Sequence, residues 1–495
     1  MNRFLLTAAL LGLALPALAE SADYRFVPPA KALPDGPARA VAAAARTSFQ
    51  AGTVPRYQIE DYAGQSEFLK ESADSPALQV GAGALLDWKS ADLFEAQAPA
   101  GAVNVWRASI TSVDASALRL QVNLERLYPE DELWVVDVMG GRAFGPFTLA
   151  DTGDNGRWLP TTMGDTTILE LRSPRKSMPD VTAVSLSHYF DSPTTKQLDC
   201  PISADCTEVT ALHEVSTGIG RMSVTDENGT TFLCSGALLN NAVTDDLEGL
   251  FLTADHCFQG TSASIFADGV EVIWDLRMNG CPGAEPSDGN IAALPRSTGK
   301  AFLRTSTTLD GVLLRLETVP VGTLGRAYLG WDTRAPRIGD AAVGLHFPGG
   351  TAMKQSIGGV NNINIDTRFG QNQTTISWDE GITEGGSSGS PVMFDDTKFH
   401  VFGMLSNGNF QACNNANARL DQYSSFRDFF AEAGAFLNQA TPPDAGRAKY
   451  SESRGLFGCV KGQGDTVQKA AGNILVSGLA VLTLLGMGAI GRRKV

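Results

Sequence analysis

The sequence has little positive charge and few histidines. Its 39 lysine and arginine residues are outnumbered by 54 aspartate and glutamate residues, which gives a formal net charge of -15. Nucleic-acid binding relies on clustered basic side chains, and the folded region has no such cluster, so nucleic acid is excluded as a partner. The absence of an internal repeat excludes a solenoid or repeat array. With only five histidines, the chain offers few candidates for an imidazole base.

The residues that are abundant favour a β-rich protein. Glycine occurs 52 times, hydrophobic residues make up 43% of the chain and charged residues 19%. This balance is typical of turn-rich β architecture rather than of disorder or a coiled coil. At 495 residues the chain is long enough for about two to three folded units.

Both ends of the sequence have the features of targeting segments. Residues 1–19 contain Arg3, an apolar run and the small-residue site "ALA", which is typical of a cleaved signal peptide rather than of a short buried helix. Residues 470–491 form a nearly uncharged run of bilayer-spanning length, and a basic tail follows at 492–495. The two ends predict an exported protein with a C-terminal transmembrane or sorting helix.

The pattern between the two ends changes along the chain. Residues 20–100 show no sustained period and are predicted to be an irregular lead-in. Residues 101–196 contain alternating stretches such as "LRLQVNL", which predict a small β-sandwich. Residues 197–438 again contain short strands and end in "SSFRDFFAEAGAFLNQ", where phenylalanines at helical spacing behind a serine cap predict a helix. Residues 439–469 are predicted to be a flexible linker.

One motif in the second β-rich block is suited to carry a nucleophile. The stretch "GGSSGSP" places Ser388 between glycines. Backbone N–H groups of Gly386 and Ser388 then have no side chain between them and a substrate carbonyl oxygen, as an oxyanion site requires. Taken alone, the stretch is equally consistent with an ordinary Gly/Ser loop.

Two further motifs supply a base and a carboxylate. In "LTADHC", His256 follows an apolar stretch, and in "TLDGVLLRLE", Asp310 opens a half-buried strand. A serine nucleophile needs both groups, the imidazole to accept its proton and the carboxylate to orient the imidazole. The alternatives are a histidine beside a disulfide and a turn aspartate. Asp255 is the poorer carboxylate, because adjacent side chains on an extended segment point apart.

The order His256, Asp310, Ser388 in these motifs resembles the chymotrypsin-fold serine endopeptidases, in particular the secreted bacterial lysyl endopeptidases. The resemblance covers roughly half of the chain, from about Cys200 to Asn438. It implies a mainly β protein with a chymotrypsin-like double β-barrel protease domain at 197–438, preceded by a β-sandwich-like prodomain. It also implies an acyl-enzyme mechanism on protein or peptide substrates, with Gly386 and Ser388 as the oxyanion hole and without cofactor or metal.

The resemblance also implies partners for six of the seven cysteines. It leaves Cys459 unpaired just before the apolar segment, where a Gly/Cys motif, an apolar helix and a basic tail resemble bacterial C-terminal sorting signals. A permanent single-span anchor with a free thiol is the alternative. Either arrangement places the protein in the bacterial cell envelope or, after processing, outside the cell. The implied disulfides are Cys200 with Cys413, Cys206 with Cys281, and Cys234 with Cys257.

A preference for basic substrate residues cannot come from the position that supplies the pocket carboxylate in trypsin-like enzymes. The position six before Ser388, where trypsin-like enzymes carry the pocket carboxylate, is Ile382. Asp421 in "RLDQY" resembles the segment that supplies the pocket acid in lysyl endopeptidases, which implies cleavage after lysine or arginine. A surface aspartate near the C-terminal helix is the alternative, and Arg419 is close enough to compete for its charge. Ser406 in "GMLSNG" matches the strand that binds substrate main chain in the family, or is an ordinary strand serine.

Two questions stay open at this level. An adhesion or binding protein on a protease-like scaffold competes with the active enzyme, because fold alone does not establish activity. Residues 20–196, called the leader below, are either a propeptide or a retained substrate-binding module. For a propeptide, we expect cleavage close to Cys200, with Lys196 as the best bond. The sequence predicts no oligomeric state.

Overall fold

The structure is a computed structural model that describes residues 20–29, 36–50, 56–59, 77–190, 201–243, 247–365, 372–408, 419–438 and 446–451. All of them belong to one folded unit, Met1–Ser451. The predicted signal peptide, the apolar segment 470–491, the basic tail and Cys459 lie outside the described residues. Among those that are described, no helix has both the length and the apolar character needed to cross a bilayer.

The described part of the leader consists mainly of strands. Its elements are β1 (Ser21–Ala22), β2 (Arg25–Val27), α1 (Gly36–Gln50), β3 (Arg56–Ile59), β4 (Leu78–Lys89), α2 (Ser90–Leu93), β5 (Glu95–Ala100), β6 (Val103–Ser112), β7 (Ala117–Asn123), β8 (Glu132–Asp137), β9 (Arg142–Phe147), β10 (Arg157–Trp158), β11 (Thr162–Met163), β12 (Thr166–Ser173) and β13 (Thr182–Tyr189).

These strands form a β-sandwich. One sheet has the order β3-β6-β12-β8-β9 with β5 beside β6, and the other contains β7, β13 and β4 with β10 and β11 beside β7. Alternate residues of each strand point to the same face, so both sheets present apolar side chains to the space between them. Leu120 and Leu186 from one sheet meet Ile110, Leu133 and Leu169 from the other in a single buried cluster.

The prediction of an irregular lead-in at 20–100 is wrong for a large part of that region. Strand β4 is twelve residues long and is paired on both sides, with β13 and with the strand Thr231–Leu238 of the protease domain. Its "VGAGALL" stretch lacks the polar–apolar alternation of a half-exposed strand. A turn of the protease domain packs against its glycines and leaves no room for larger side chains. A Cβ on Gly83 would lie 1.5 Å from the carbonyl oxygen of Asn228.

The protease domain contains two barrels joined by a connection that includes β21 and β22. Its elements are β14 (Ile202–Ser203), α3 (Thr210–Ser216), β15 (Ile219–Thr225), β16 (Thr231–Leu238), β17 (Leu250–Thr253), β18 (Val270–Ile273), α4 (Asp288–Ala292), β19 (Arg296–Ser306), β20 (Gly311–Leu316), β21 (Arg326–Tyr328), β22 (Trp331–Asp332), β23 (Ala341–His346), β24 (Lys354–Ile365), β25 (Asn372–Glu380), β26 (Pro391–Phe394), β27 (Val401–Gly408), β28 (Leu420–Ser425) and α5 (Phe426–Leu437).

Each barrel is a closed antiparallel sheet of six strands. The first runs β16-β15-β18-β19-β20-β17 and closes through pairing of β17 with β16. The second runs β27-β26-β23-β24-β25-β28 and closes through pairing of β28 with β27. The chymotrypsin-like double barrel predicted from the sequence is therefore confirmed. The predicted C-terminal helix is also present as α5, capped by the Ser425 hydroxyl, which accepts from the Asp428 N–H at 3.2 Å.

The barrels place the three motifs at neighbouring strand ends. His256 follows β17, and Asp310 lies in the turn between β19 and β20 of the same barrel. Ser388 precedes β26 of the second barrel. The candidate site is thus built by loops from both barrels.

Candidate functional site

The closest contact in the candidate site joins His256 to Asp310. The Asp310 carboxylate lies 2.9 Å from His256 Nδ1 through Oδ2 and accepts the His256 backbone N–H at 2.8 Å through Oδ1. Asp310 is 1% exposed and has a φ of 43°, a left-handed conformation that aspartate tolerates better than most residues. Because a carboxylate can only accept, it holds the proton on Nδ1 and leaves Nε2 as the basic nitrogen.

The loop that carries Ser388 packs against the end of β17. The Ser388 carbonyl oxygen accepts the Ser235 N–H at 2.8 Å and lies 3.9 Å from Sγ of Cys257, the residue after His256. The next residue, Gly389, has a φ of 78°, and a Cβ there would lie 2.2 Å from Thr253 Oγ1. Only glycine fits that position, so the loop is held directly beside the histidine segment.

Of the three candidate catalytic residues, only two are in direct contact in the structure. His256 and Asp310 are in direct contact, whereas no hydrogen bond among the described residues joins the Ser388 hydroxyl to the His256 ring. Catalytic hydrogen bonds are often long before substrate is bound. Ser388 is 9% exposed and His256 is 6% exposed, so both are largely buried in the chain that still carries its leader.

Two backbone N–H groups next to the serine are available for an anion. Within the described part of the chain, neither Gly386 N–H nor Ser388 N–H has a hydrogen-bond partner. Their loop is nevertheless held in place: the Gly386 carbonyl accepts the Ser235 hydroxyl at 2.9 Å, and the Gly385 carbonyl accepts the Gly349 N–H at 2.7 Å. Fixed donors without internal partners are what an oxyanion site requires.

Asp421 lies in a buried position rather than on the surface. It is 3% exposed, and its Oδ2 accepts hydrogen bonds from Thr383 Oγ1 at 2.8 Å and from the indole N–H of Trp378. Its Oδ1 faces Gly408 at the end of β27, where a Cβ would lie only 2.3 Å away. Thr383 follows Ile382, so the carboxylate of Asp421 is next to the position where trypsin-like enzymes carry theirs.

Known proteins resemble the region that contains this site. A family model described as "Lysyl endopeptidase, C-terminal domain" matches residues 195–424. A curated lysyl endopeptidase from Pseudomonas aeruginosa is 26% identical over 353 residues, which cover 67% of this chain and 74% of that protein. The chain is a serine endopeptidase. The adhesion protein on an inactive scaffold, which was the competing reading of the sequence, is therefore not favoured.

The comparison with solved structures finds serine proteases at low similarity. The Rv3671c protease from M. tuberculosis in its active form is 13% identical with a TM-score of 0.33, and the match covers 52% of this chain and 97% of the other. An HtrA-type protease, AlgW with tripeptide, is 13% identical with a TM-score of 0.32, and the match covers 46% of this chain and 62% of the other.

Two of the implied disulfides are present in the protease. Cys206 is bonded to Cys281, and Cys234 is bonded to Cys257. The second bond ties the strand that holds Ser388 through Ser235 to the turn that carries His256. Cys200 and Cys413 lie outside the described residues. The described residues contain no cluster of His, Cys, Asp and Glu that would hold a metal ion.

The structure also describes the surroundings of Ser406 and Asp255. Within the described residues, the Ser406 hydroxyl in β27 has no hydrogen-bond partner. Asp255 is part of a 3-10 turn, Asp255–Phe258, rather than of an extended segment. Its carboxyl binds Gln259 Nε2 at 2.6 Å and does not orient the imidazole. Burial, and next the nearby Asp310 carboxylate, raise the pKa of Asp255 to about 7.

The sequence analysis did not single out His346, which supports the serine loop. His346 Nδ1 lies 2.9 Å from Ser387 Oγ, and Nε2 lies 3.1 Å from Ser356 Oγ. Burial, followed by the charge of Lys354, lowers the pKa of His346 to about 3, so this ring stays neutral at physiological pH. The signal that was available is a histidine at the end of the apolar stretch "AAVGLH", but its partner is 41 residues away along the chain.

Proposed function

We propose that the protease hydrolyses peptide bonds through an acyl-enzyme formed on Ser388. The Ser388 oxygen attacks the substrate carbonyl and His256 Nε2 takes its proton, while Asp310 stabilises the imidazolium that results. The N–H groups of Gly386 and Ser388 bind the developing oxyanion. The imidazolium returns the proton to the leaving amine, and water then repeats the sequence on the ester. The observation that carries this proposal is the buried Asp310–His256 pair beside the Ser388 loop.

Replacement of Ser388 tests this mechanism against a neighbouring serine. We expect Ser388→Ala to lose about a million-fold in kcat and to lose labelling by a fluorophosphonate probe, because the nucleophile is gone. Ser390→Ala is the matched control, since it removes a hydroxyl from the same loop and leaves the N–H groups in place. Peptidase activity that survives in folded Ser388→Ala, or labelling that disappears only in Ser390→Ala, would overturn the assignment.

We further propose that the enzyme cleaves after lysine or arginine, with Asp421 as the pocket acid and Ser406 on the strand that binds the substrate backbone. A carboxylate that is almost fully buried attracts a substrate cation strongly and disfavours an apolar side chain. The lysyl endopeptidase relative has a name that agrees with this preference. Lysine is expected before arginine.

The leader is proposed to be a removable propeptide. One apolar cluster lies wholly within residues 86–186, so the leader has a core of its own. A second cluster is shared with the protease, and the leader contributes Ala22, Val80, Ala117, Met163 and Tyr189 to it. Its contacts with the first barrel include many polar ones, which is typical of surfaces that separate. Arg119 is 1% exposed and donates to the carbonyl oxygens of Gly269 at 2.6 Å and Asp268 at 2.9 Å. Arg157 and Glu317 form a bidentate pair across the same surface.

The leader also covers a part of the protease next to Ser388. Strand β4 pairs with β16, with Leu78 opposite Leu233 and Gln79 opposite Phe232. The Leu78 side chain lies 3.6 Å from where a Cβ on Gly385 would be. A strand in this position blocks an edge that an extended substrate would need. Cleavage near Cys200 at Lys196, which lies outside the described residues, would begin its removal.

We propose that the protein is exported and that its C-terminal segment acts as an anchor or sorting signal. The signal-like residues 1–19 support export, and so do the disulfides, because such bonds persist in oxidising compartments. Detection of the intact C-terminal segment in washed membranes, with an antibody against residues beyond 452, tests the anchor. Recovery of that segment only in the cytoplasm would contradict export.

A further inference from the structure

One segment of the second barrel lies directly behind the loop that carries Ser388. Residues 346–349, called the backing segment below, run from the last residue of β23 into the turn that follows it. A Cβ on Gly386 would lie 2.9 Å from the carbonyl oxygen of Phe347, so the two chains are in close contact. The backing segment is linked in turn to each of the three residues before Ser388.

The first link sets the direction of the Gly386 N–H. The Gly349 N–H donates to the carbonyl oxygen of Gly385 at 2.7 Å. That carbonyl and the Gly386 N–H belong to one planar trans peptide, in which they point in opposite directions. The backing segment therefore holds the carbonyl on its own side and directs the N–H away from itself. A donor that is fixed in this way is available to an anion in front of the loop.

The second link passes through a hydroxyl of the first barrel. The Phe347 N–H donates to Ser235 Oγ at 3.1 Å, and the Ser235 hydroxyl donates to the Gly386 carbonyl at 2.9 Å. This bridge holds the peptide that follows Gly386, while the first link holds the peptide that precedes it. Gly386 is thereby fixed at a φ of 93°, a conformation that glycine adopts readily.

The third link is the side chain of His346. Its Nδ1 lies 2.9 Å from Ser387 Oγ and its Nε2 lies 3.1 Å from Ser356 Oγ. All three residues are 0% exposed. Ser387 stands between the two N–H groups of the proposed oxyanion hole, because Gly386 precedes it and Ser388 follows it. The anchor on the Ser387 side chain therefore acts on both donors.

A neutral ring satisfies every atom of the third link. Burial, followed by the charge of Lys354, lowers the pKa of His346 to about 3. A neutral imidazole donates from one nitrogen and accepts at the other. Ser387 Oγ accepts the Glu384 N–H at 3.2 Å, so the hydroxyl proton is available to Nδ1 of the ring. Nε2 then carries the ring proton and donates to Ser356. The link thus requires a side chain that both donates and accepts.

We propose that His346 is a positioning residue for the oxyanion hole and acts through Ser387. The proposal rests on the oxyanion role assigned above to the N–H groups of Gly386 and Ser388. His346 is fully buried behind the loop and does not contact the reacting atoms. An oxyanion forms only as the reaction proceeds, so loss of the link should weaken binding of the transition state more than binding of the substrate.

Three variants of the full-length chain test the proposal. His346→Ala removes the link, His346→Gln restores a side chain that donates and accepts, and Ser387→Ala removes the other end of the link. His213→Ala is the matched control, because the His213 ring also makes a hydrogen bond, with Nε2 2.7 Å from the Thr207 carbonyl oxygen. It belongs to α3 rather than to the backing segment.

The kinetic pattern separates positioning from stability. Rates are referred to sites titrated to completion with a phosphonate, so misfolded molecules do not contribute. We expect kcat of His346→Ala to fall about a hundred-fold with KM unchanged, because loss of one oxyanion donor costs about 10²- to 10³-fold. His346→Gln should recover at least about ten-fold of that loss. His213→Ala should match the wild type.

Two further measurements report on the oxyanion hole itself. The inhibition constant of a peptide aldehyde should rise by the factor by which kcat/KM falls, because its tetrahedral adduct with the nucleophile uses the same donors. Ser387→Ala should lower kcat by a similar factor to His346→Ala. The double variant should be little worse than either single one, because both changes remove one shared interaction.

The outcomes distinguish this proposal from the one on which it rests. Wild-type kcat in His346→Ala, no recovery in His346→Gln, independent effects of His346→Ala and Ser387→Ala, or a loss confined to the number of titratable sites would overturn the role of His346. A folded wild-type protein in which Ser388 is not labelled would instead overturn the proposed mechanism.

Discussion

The pocket assignment makes the sharpest prediction, which is the effect of Asp421→Asn on substrate preference. Asparagine has the same shape, so its side-chain oxygen can still accept from Thr383 and Trp378, and the pocket should not collapse. What is lost is the charge that pairs with a substrate cation. Asp421 is 3% exposed, so water screens that pairing little.

The structure sets the size of the expected effect. Loss of one partner of a buried ion pair costs about 3–5 kcal/mol, and each 1.4 kcal/mol corresponds to about a ten-fold change. We therefore expect kcat/KM for a lysine substrate to fall by about 10²- to 4 × 10³-fold, with a similar fall for arginine. Hydrolysis of a matched leucine substrate should be unchanged or faster, because the apolar side chain no longer has to pack against a buried charge.

The assay compares peptide amides that differ only in the residue before the cleaved bond. Asp379→Asn is the control, because Asp379 is exposed and adjacent to Trp378, so it changes the local charge outside the pocket. Peptide-library profiling of the same variants extends the comparison to all side chains. A lysine-to-leucine ratio that is the same in wild type and in Asp421→Asn would refute the assignment, even if the catalytic mechanism is right.

Three further changes have expected outcomes. Lys196→Gln should keep the leader attached and slow fluorophosphonate labelling of Ser388, as measured by N-terminal sequencing and gel readout; rapid labelling of the uncut protein would contradict occlusion by β4. Gly389→Ala should lower kcat at least about a hundred-fold, because its Cβ has no space beside Thr253; wild-type activity would show that the loop adapts. Asp255 has a pKa of about 7 when folded and about 4 when unfolded, so between these values the carboxyl is protonated in the folded state and ionised in the unfolded state. The free energy of unfolding therefore falls as pH rises from about 4 to about 7. In a Ser388→Ala background, Asp255→Asn should remove that loss, about 4 kcal/mol at most, and equal pH profiles of unfolding would contradict the shift.

The features that could be predicted from the sequence are local in the chain. "LTADHC" and "DGVLLRL" each combine an apolar strand with a polar residue at its end, and strand ends of a barrel meet at its rim. Helix α5 has its cap and its phenylalanine spacing within about four turns of sequence. Such patterns need no knowledge of the partner strand. They located the three candidate side chains, and the double barrel followed from the resemblance of these motifs to the chymotrypsin-fold endopeptidases.

The features that were missed depend on distant partners. Alternation in β7 predicts that Arg119 faces solvent, and it is buried because the face opposite the sandwich core is covered by the protease domain. The role of His346 depends on Ser387, which lies 41 residues away along the chain. Residues 446–451 fall in the predicted flexible linker, and that prediction is wrong for them, because four backbone hydrogen bonds join them to the first barrel. In each case the decisive neighbour lies on another element, so no local period reports it.

The start of the leader adds a consequence for how the enzyme becomes active. Strands β1 and β2 pair with β22 and β21, between the two barrels, and Asp23 binds both His400 and Lys398 at 2.9 Å. The leader is thus fastened to the protease at its first residues as well as through β4, and the proposed cleavage near Lys196 would convert a tethered contact into an ordinary complex. A flexible tether supplies an effective local concentration in the millimolar range, which cleavage would abolish. Release of the leader would then depend on total protein concentration, so dilution after the proposed export would free the enzyme, whereas cut precursor at high concentration would keep its leader bound.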